Sequence, residues 1–301
     1  MSEAATQTFT NVALIDADSI YFKAACVSKK KNMIRKIIDT QMDTILRECS
    51  ALMIEEATMA VAVKGKDNFR YNIYPEYKGH RKDLDEDLKE ALNYGHKYMI
   101  EKYDAVVATG MEADDLVSIW VHECIEAEAN YVVCHLDKDL NMLPGTHYNF
   151  NKEESYFVDY EQAAMHFFKQ CLTGDSADGI PGVKGIGPKT ADKLLDNIHF
   201  NNIWPTIKSK WTDHKQMMIS AKLLWMATTF EEVEDLNEQL EERVKAKTVE
   251  EFWSNYNRTE ENNDEVQTPV PDQSDRSEPD ERPLQVEGET DAEHGVSGVS
   301  E

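Results

Sequence analysis

The chain lacks paired cysteines, long apolar runs and the common hydrolase signatures, and each absence narrows what it can be. Its five cysteines, Cys26, Cys49, Cys124, Cys134 and Cys171, are an odd number, widely spaced and without a CxxC pair. That pattern favours reduced thiols over a disulfide frame or a zinc site. No apolar run approaches the roughly 18 residues needed to span a bilayer. Met1 to Thr10 is polar and lacks the basic-then-apolar plan of a signal peptide. We therefore expect a soluble, cytoplasmic protein with no membrane partner. HExxH, a GxSxG elbow and a Walker phosphate loop are also missing, along with the chemistries they mark.

Positive charge is scarce as well, with 32 basic against 57 acidic residues and a formal net charge of -25. Asn257 to Glu301 holds fourteen of those acids and three of the bases, which leaves 43 acids and 29 bases before it. The global charge thus does not exclude a nucleic-acid partner, provided that local basic segments do the binding. Residues 257–301 are rich in Glu, Asp, Ser, Pro and Gly and almost free of aromatics. Such a stretch cannot bury enough surface to offset its ordering entropy, so a disordered acidic tail is expected. Solubility, repulsion of non-specific DNA and recruitment of a basic protein partner are the roles open to it.

What is present reads as an α/β protein. Val12 to Ile15, Thr58 to Val63, Ala105 to Ala108 and Tyr131 to Leu136 are buried strand-like runs separated by helical periodicity. Alternation of this kind implies βαβ units and a doubly wound, mostly parallel sheet over residues 1–159. Short strands around His147 to Phe150 and Tyr156 to Val158 extend it. Between 64 and 102 the basic, aromatic and acidic residues mix, which suggests a projecting loop and helix. From 160 to 256 the pattern is helical and is read as a DNA-binding subdomain.

Acidic residues cluster at the ends of these strands: Asp16, then Glu112, Asp114 and Asp115, then Asp137 and Asp139, then Asp175 and Asp178. In doubly wound sheets the carboxyl ends of the strands form the ligand crevice, so sequence-distant clusters converge there. Like charges a few ångströms apart repel, and hard divalent cations with oxygen ligands relieve them. An EF-hand is excluded, because Met142 replaces the turn glycine and Tyr148 stands where the bidentate Glu belongs. With no histidine or cysteine in the clusters, Mg²⁺ is the natural ion, with Mn²⁺ as a substitute. Two such ions suit phosphodiester hydrolysis.

Two further segments point to nucleic acid. Gly182-Val183-Lys184-Gly185-Ile186-Gly187-Pro188-Lys189-Thr190 has glycines that permit close approach of a phosphate backbone and a proline suited to the first helical position. Over 174–197 it reads as a helix–hairpin–helix that grips duplex without regard to base sequence. Tyr74 to Lys82 combines aromatic surface with cations. Lys78 and Arg81 are placed to hold a scissile phosphate, Tyr77 to stack on an unpaired base, and His80 is read as structural or solvent-facing.

In order along the chain, VALIDAD, YPEYKGHR, MEADDL, HLDKDL and GDSADGIPGVKGIGPKTA resemble the flap endonuclease and 5′-nuclease family, specifically its bacteriophage 5′–3′ exonucleases. The resemblance spans roughly residues 10 to 200. It implies a PIN/5′-nuclease-like fold with a helical arch and a helix–three-turn–helix that commonly binds K⁺. It also implies one metal site from Asp16, Glu112, Asp114 and Asp115, and another formed or supported by Asp137, Asp139, Asp175 and Asp178. Lys78 and Arg81 match the family's catalytic basic residues. The implied activity is a structure-specific 5′ nuclease acting on 5′ ends, flaps or primers of duplex DNA, with RNA–DNA hybrid as an additional substrate; a monomer is expected. For a phage-encoded protein the compartment is the host cytoplasm.

Two positions depart from the family pattern. Val63 stands where relatives carry an aspartate, with Asp67 as a candidate replacement, and Gly179 stands where many have Asn. Asp18 is a further acid without an assigned role. A non-catalytic, structure-specific DNA-binding protein and a metal-dependent ribonuclease of related fold are the alternatives, separable by cleavage of matched DNA and RNA flaps.

Overall fold

The computed structural model describes residues 10–53, 57–234 and 236–254; the expected tail at 257–301 lies outside the described residues. The first buried run forms β1 (Asn11–Asp16), flanked in parallel by β2 (Thr58–Lys64) and β4 (Asn130–His135). Beyond β2 lies β3 (Val106–Ala108), and beyond β4 come β5 (Gly145–Asn149) and β6 (Glu154–Val158). The sheet order is β3-β2-β1-β4-β5-β6, with β6 antiparallel to β5 and the other pairings parallel. The order reverses between β1 and β4, which makes their carboxyl ends the crevice of the sheet. Asp16 closes β1, and Asp137 follows β4 by two residues.

Alternate strand residues feed two cores, as the period of two requires. Ala13, Ile15, Val61 and Val63 face α1 (Asp18–Val27), α2 (Lys31–Met53) and α4 (Glu86–Tyr103). Helix α2 buries Ile34, Ile38, Met42, Ile45 and Cys49, a single stripe at helical spacing. Val12, Leu14, Ala60 and Ala62 face the opposite core, which contains α5 (Ala113–Glu126) and α6 (Tyr160–Thr173). The remaining helices are the short α3 (Arg70–Ile73), then α7 (Pro188–Leu195), α8 (Ile203–Lys210), α9 (His214–Leu224), α10 (Phe230–Glu234), α11 (Leu236–Arg243) and α12 (Val249–Ser254).

The segment 64–102 does not project throughout, since α4 buries Ala91, Leu92, Gly95 and Met99 against α1 and α2. The helices from 160 onward share a core with the sheet: among the described residues, one apolar cluster runs from Leu14 through Phe167 to Phe252.

The α1–α4 contact turns on a missing side chain. A Cβ built on Gly95 would sit 2.8 Å from Tyr21 Cβ, too close for real atoms. Gly95→Val is therefore expected to destabilise the protein by about 2 kcal/mol through overpacking. Urea unfolding of the variant beside the parent checks this, and unchanged stability would contradict the close packing.

Candidate active site

The head of α5 presents three carboxylates within four residues, and each has a different environment. Asp115 is fully buried, and Arg70 holds its two oxygens at 2.5 and 2.8 Å. It also accepts from the backbone amides of Ala227 and Glu112, both at 3.0 Å. Arg70 is itself buried and donates onward to the carbonyls of Leu223 (2.9 Å) and Trp225 (2.8 Å). A guanidinium suits this position because its planar fork serves a carboxylate and two carbonyls at once. One cluster thereby ties α3, α5 and the chain after α9 together.

Glu112 caps the helix and pairs with Lys78, with Arg70 a further 3.8 Å away. Burial disfavours its charge, but Arg70 and Lys78 hold its carboxyl below the ordinary value. Asp114 feels Arg70 more weakly. Burial, reinforced by Glu112 and Asp115, pushes its carboxyl well above the ordinary value.

Asp16 meets the same condition from β1. Burial, then the charge of Asp18, and further those of Asp137 and Glu112, push it from 3.8 up to about 8. Asp18 acts as a fastener, accepting from the Lys64 amide at 3.0 Å and from the Tyr21 hydroxyl at 2.7 Å. The Asp137 turn is backed by His135, whose Nδ1 lies 2.5 Å from the Asp137 carbonyl, and the Asp137 side chain accepts from the Asp139 amide at 2.9 Å. Asp16, Glu112, Asp114 and Asp137 line one cleft of about 330 Å³, together with Lys78 and Arg81.

The other acids lie around that cleft. Asp178 takes Arg81 and Lys78 (3.3 Å for the latter), and the Tyr77 hydroxyl sits 3.1 Å from it and 3.0 Å from Glu112. Asp139 and Asp175 share Lys138 at 3.4 and 2.9 Å, and Gln170 donates to Asp139 at 2.5 Å. Burial, then Asp137, pushes Asp139 up to about 6. Lys138 holds Asp175 below its ordinary value despite burial. Of the four acids expected at a second site, Asp137 lines the cleft, and Asp139, Asp175 and Asp178 are paired with cations beside it.

Two residues sit otherwise than the sequence suggests. Asp115 is not among the residues that line the cleft, and Arg70 and two amides occupy its oxygens. Tyr77 offers no stacking surface; its ring is 2 % exposed and its hydroxyl serves Glu112 and Asp178. Val63 is buried among α1, α2 and α4, while Asp67 lines the cleft. Gly179 has a φ of +74°, a region that glycine and asparagine tolerate best. The reasoning from sequence missed Arg70 altogether.

In the glycine-rich segment, Asp175 and Ile180 form a two-residue bridge, and α7 begins at Pro188. Gly185 has a φ of +84°, and a Cβ on Gly182 would lie 2.2 Å from the Thr173 carbonyl oxygen. Lys184, Lys189 and Thr190 are exposed around this turn, and no side chain caps α7 at Gly187.

The 5′–3′ exonuclease N-terminal resolvase-like domain matches residues 11–167, more than half of the chain. The protein belongs to this 5′–3′ exonuclease family. Flap endonuclease Xni of Pseudoalteromonas translucida is 26% identical over 238 residues, covering 71% of this chain and 91% of that protein. Its Shewanella baltica counterpart is 26% identical over 185 residues, with 54% and 71% covered. Among solved structures, a T5 protein co-crystallised with metal ions aligns with a TM-score of 0.57 at 18% identity, covering 78% of this chain and all of that one. The T5 5′-exonuclease with bound zinc gives 0.51 at 18% identity, over 77% and 98%. At such identities the structural likeness shows the shared fold of the 5′–3′ exonuclease family.

The cleft suits a divalent cation on its own chemistry. Its donors are carboxylate oxygens, and desolvation and like charge push two of them, on Asp16 and Asp114, toward their neutral forms. Among the described residues, no three acidic, histidine or cysteine side chains are grouped as a ready-made metal cage. Asp16, Glu112, Asp114 and Asp137 are the residues that would hold the ion.

Because Asp16 titrates higher folded than unfolded, the stability contributed by its neutral form is complete below about pH 4 and lost as pH rises through about 8. Asp16→Asn should therefore be the more stable protein in EDTA at about pH 9, by a few degrees in Tm, with the gap shrinking toward about pH 5. Thermal melts across that range check this; a gap independent of pH would contradict it.

Proposed function

We propose that the protein is a Mg²⁺-dependent, structure-specific 5′ nuclease that hydrolyses phosphodiester bonds at 5′ ends and flaps of duplex DNA. The observation that carries this reading is the single cleft in which Asp16, Glu112, Asp114 and Asp137 meet Lys78 and Arg81. Family membership and the Xni relatives, whose name is flap endonuclease, support the same reaction class.

Divalent metal, when bound, lowers the pKa of water and neutralises charge on the scissile phosphate. The protein's own part begins with Asp16, Glu112, Asp114 and Asp137, which hold that charge at the crevice. Lys78 and Arg81 face the same cleft, and each reaches a carboxylate that a phosphate oxygen would replace as partner. Tyr77 fixes Glu112 and Asp178 relative to one another through one hydroxyl. Arg70 removes Asp115 from the reaction and sets the start of α5.

Duplex gripping falls to the glycine-rich turn between α6 and α7. Exposed Lys184 and Lys189 and the start of α7, which no side chain caps, suit a phosphate backbone, in a helix–hairpin–helix that accommodates K⁺ at its carbonyls. Contact to the backbone alone admits RNA–DNA hybrid as a second substrate.

Product mapping on a 5′-labelled DNA flap, with and without Mg²⁺, tests the proposal. Mg²⁺-dependent release of nucleotides or short fragments from the 5′ end is expected. Lys78→Ala is expected to lower kcat by about 10²- to 10³-fold with duplex affinity retained. No cleavage by the parent protein, or an unimpaired Lys78→Ala, would overturn the reading.

A further inference from the structure

The burial of Tyr77 leaves the cleft without the aromatic platform assigned to it, and another residue is placed to serve. Tyr71 is the one aromatic ring among the described residues that line the cleft, and it is 46% exposed. It belongs to the single turn of α3, next to Arg70, whose guanidinium is fixed by Asp115 and two carbonyls. Its amide donates to the Asn68 carbonyl at 3.2 Å. Its ring packs edge-on against the buried ring of Tyr77, centroids 5.8 Å apart at 69°. The ring is thus held on one side, open on the other, and borders the cleft that also contains Lys78 and Arg81.

We infer that Tyr71 is the stacking platform for the unpaired nucleobase next to the scissile phosphate. Most of the cleft wall is charged or polar, the ring is 46% exposed, and a base face would cover it. Stacking accepts every base, as a nuclease that selects structure over sequence requires. The rigid backing by Tyr77 reduces the entropy lost when a base settles on the ring. Arg81, 55% exposed across the same cleft, leaves room for the adjoining phosphate. The inference rests on the nuclease reading, and its test separates the two.

The probe is a DNA flap carrying 2-aminopurine as the unpaired 5′ base nearest the junction, bound in Ca²⁺ so that a binding signal needs no cleavage. The parent protein and Tyr71→Phe should quench the fluorescence on binding, because both keep a ring. Tyr71→Leu should bind with quenching lost. In parallel Mg²⁺ assays, Tyr71→Leu should raise KM about tenfold on a normal flap and leave it unchanged on a flap abasic at that position, with kcat retained. Quenching that survives in Tyr71→Leu, or a KM penalty equal on both flaps, overturns the inference. Quenching without Mg²⁺-dependent cleavage by the parent would instead overturn the nuclease reading and leave the stacking role standing.

Discussion

Carboxylates crowded at the head of one helix and the end of one strand cannot all stay charged out of water, and this constraint organises the molecule. Asp115 is answered by the buried guanidinium of Arg70, and Glu112 by Lys78. Asp114 and Asp16 receive no comparable cation and are pushed toward their neutral forms. Breaking a buried pair costs several kcal/mol, so the Arg70–Asp115 contact is a structural anchor beside the cleft. The same guanidinium reaches the carbonyls of Leu223 and Trp225, which is how the helical region is locked to the sheet.

The fold supplies the convergence. A sheet that reverses its strand order between β1 and β4 opens a crevice there, and Asp16 and Asp137 stand at those two strand ends. Helix α5 packs beneath the same edge and delivers Glu112 and Asp114. The loop carrying Lys78 and Arg81 folds over from the β2 side and meets the Asp178 turn, where the Lys78 amide donates to the Asp178 carbonyl at 3.1 Å. Cations and anions thus face one another across a polar cleft of modest size.

Much of this was legible in the sequence, for identifiable reasons. Continuous apolar runs such as VALI and YVVC mark buried parallel strands by their period, and acids directly after them can only lie at the carboxyl edge. What escaped was which acid would be paired and by what. Arg70 sits 45 residues from Asp115 and 153 from Leu223, and nothing local to Phe69-Arg70-Tyr71 signals burial of a guanidinium. Tyr77 lies in a segment rich in polar residues, and its burial depends on the distant Asp178 turn closing over it. The packing of α4 depends on Gly95 admitting Tyr21, a fit between surfaces that a single-helix pattern does not encode.

Carboxylates from separate segments create one pocket of excess negative charge suited to divalent ions. Titration of the metal-free protein with Mn²⁺, followed by the loss of the free-ion EPR signal, tests this most directly. Saturable uptake is expected, displaced by Mg²⁺ and weakened by Asp114→Asn at least about tenfold, equivalent to about 1.4 kcal/mol. A free-ion signal unchanged by the protein, or uptake indifferent to that substitution, would contradict it.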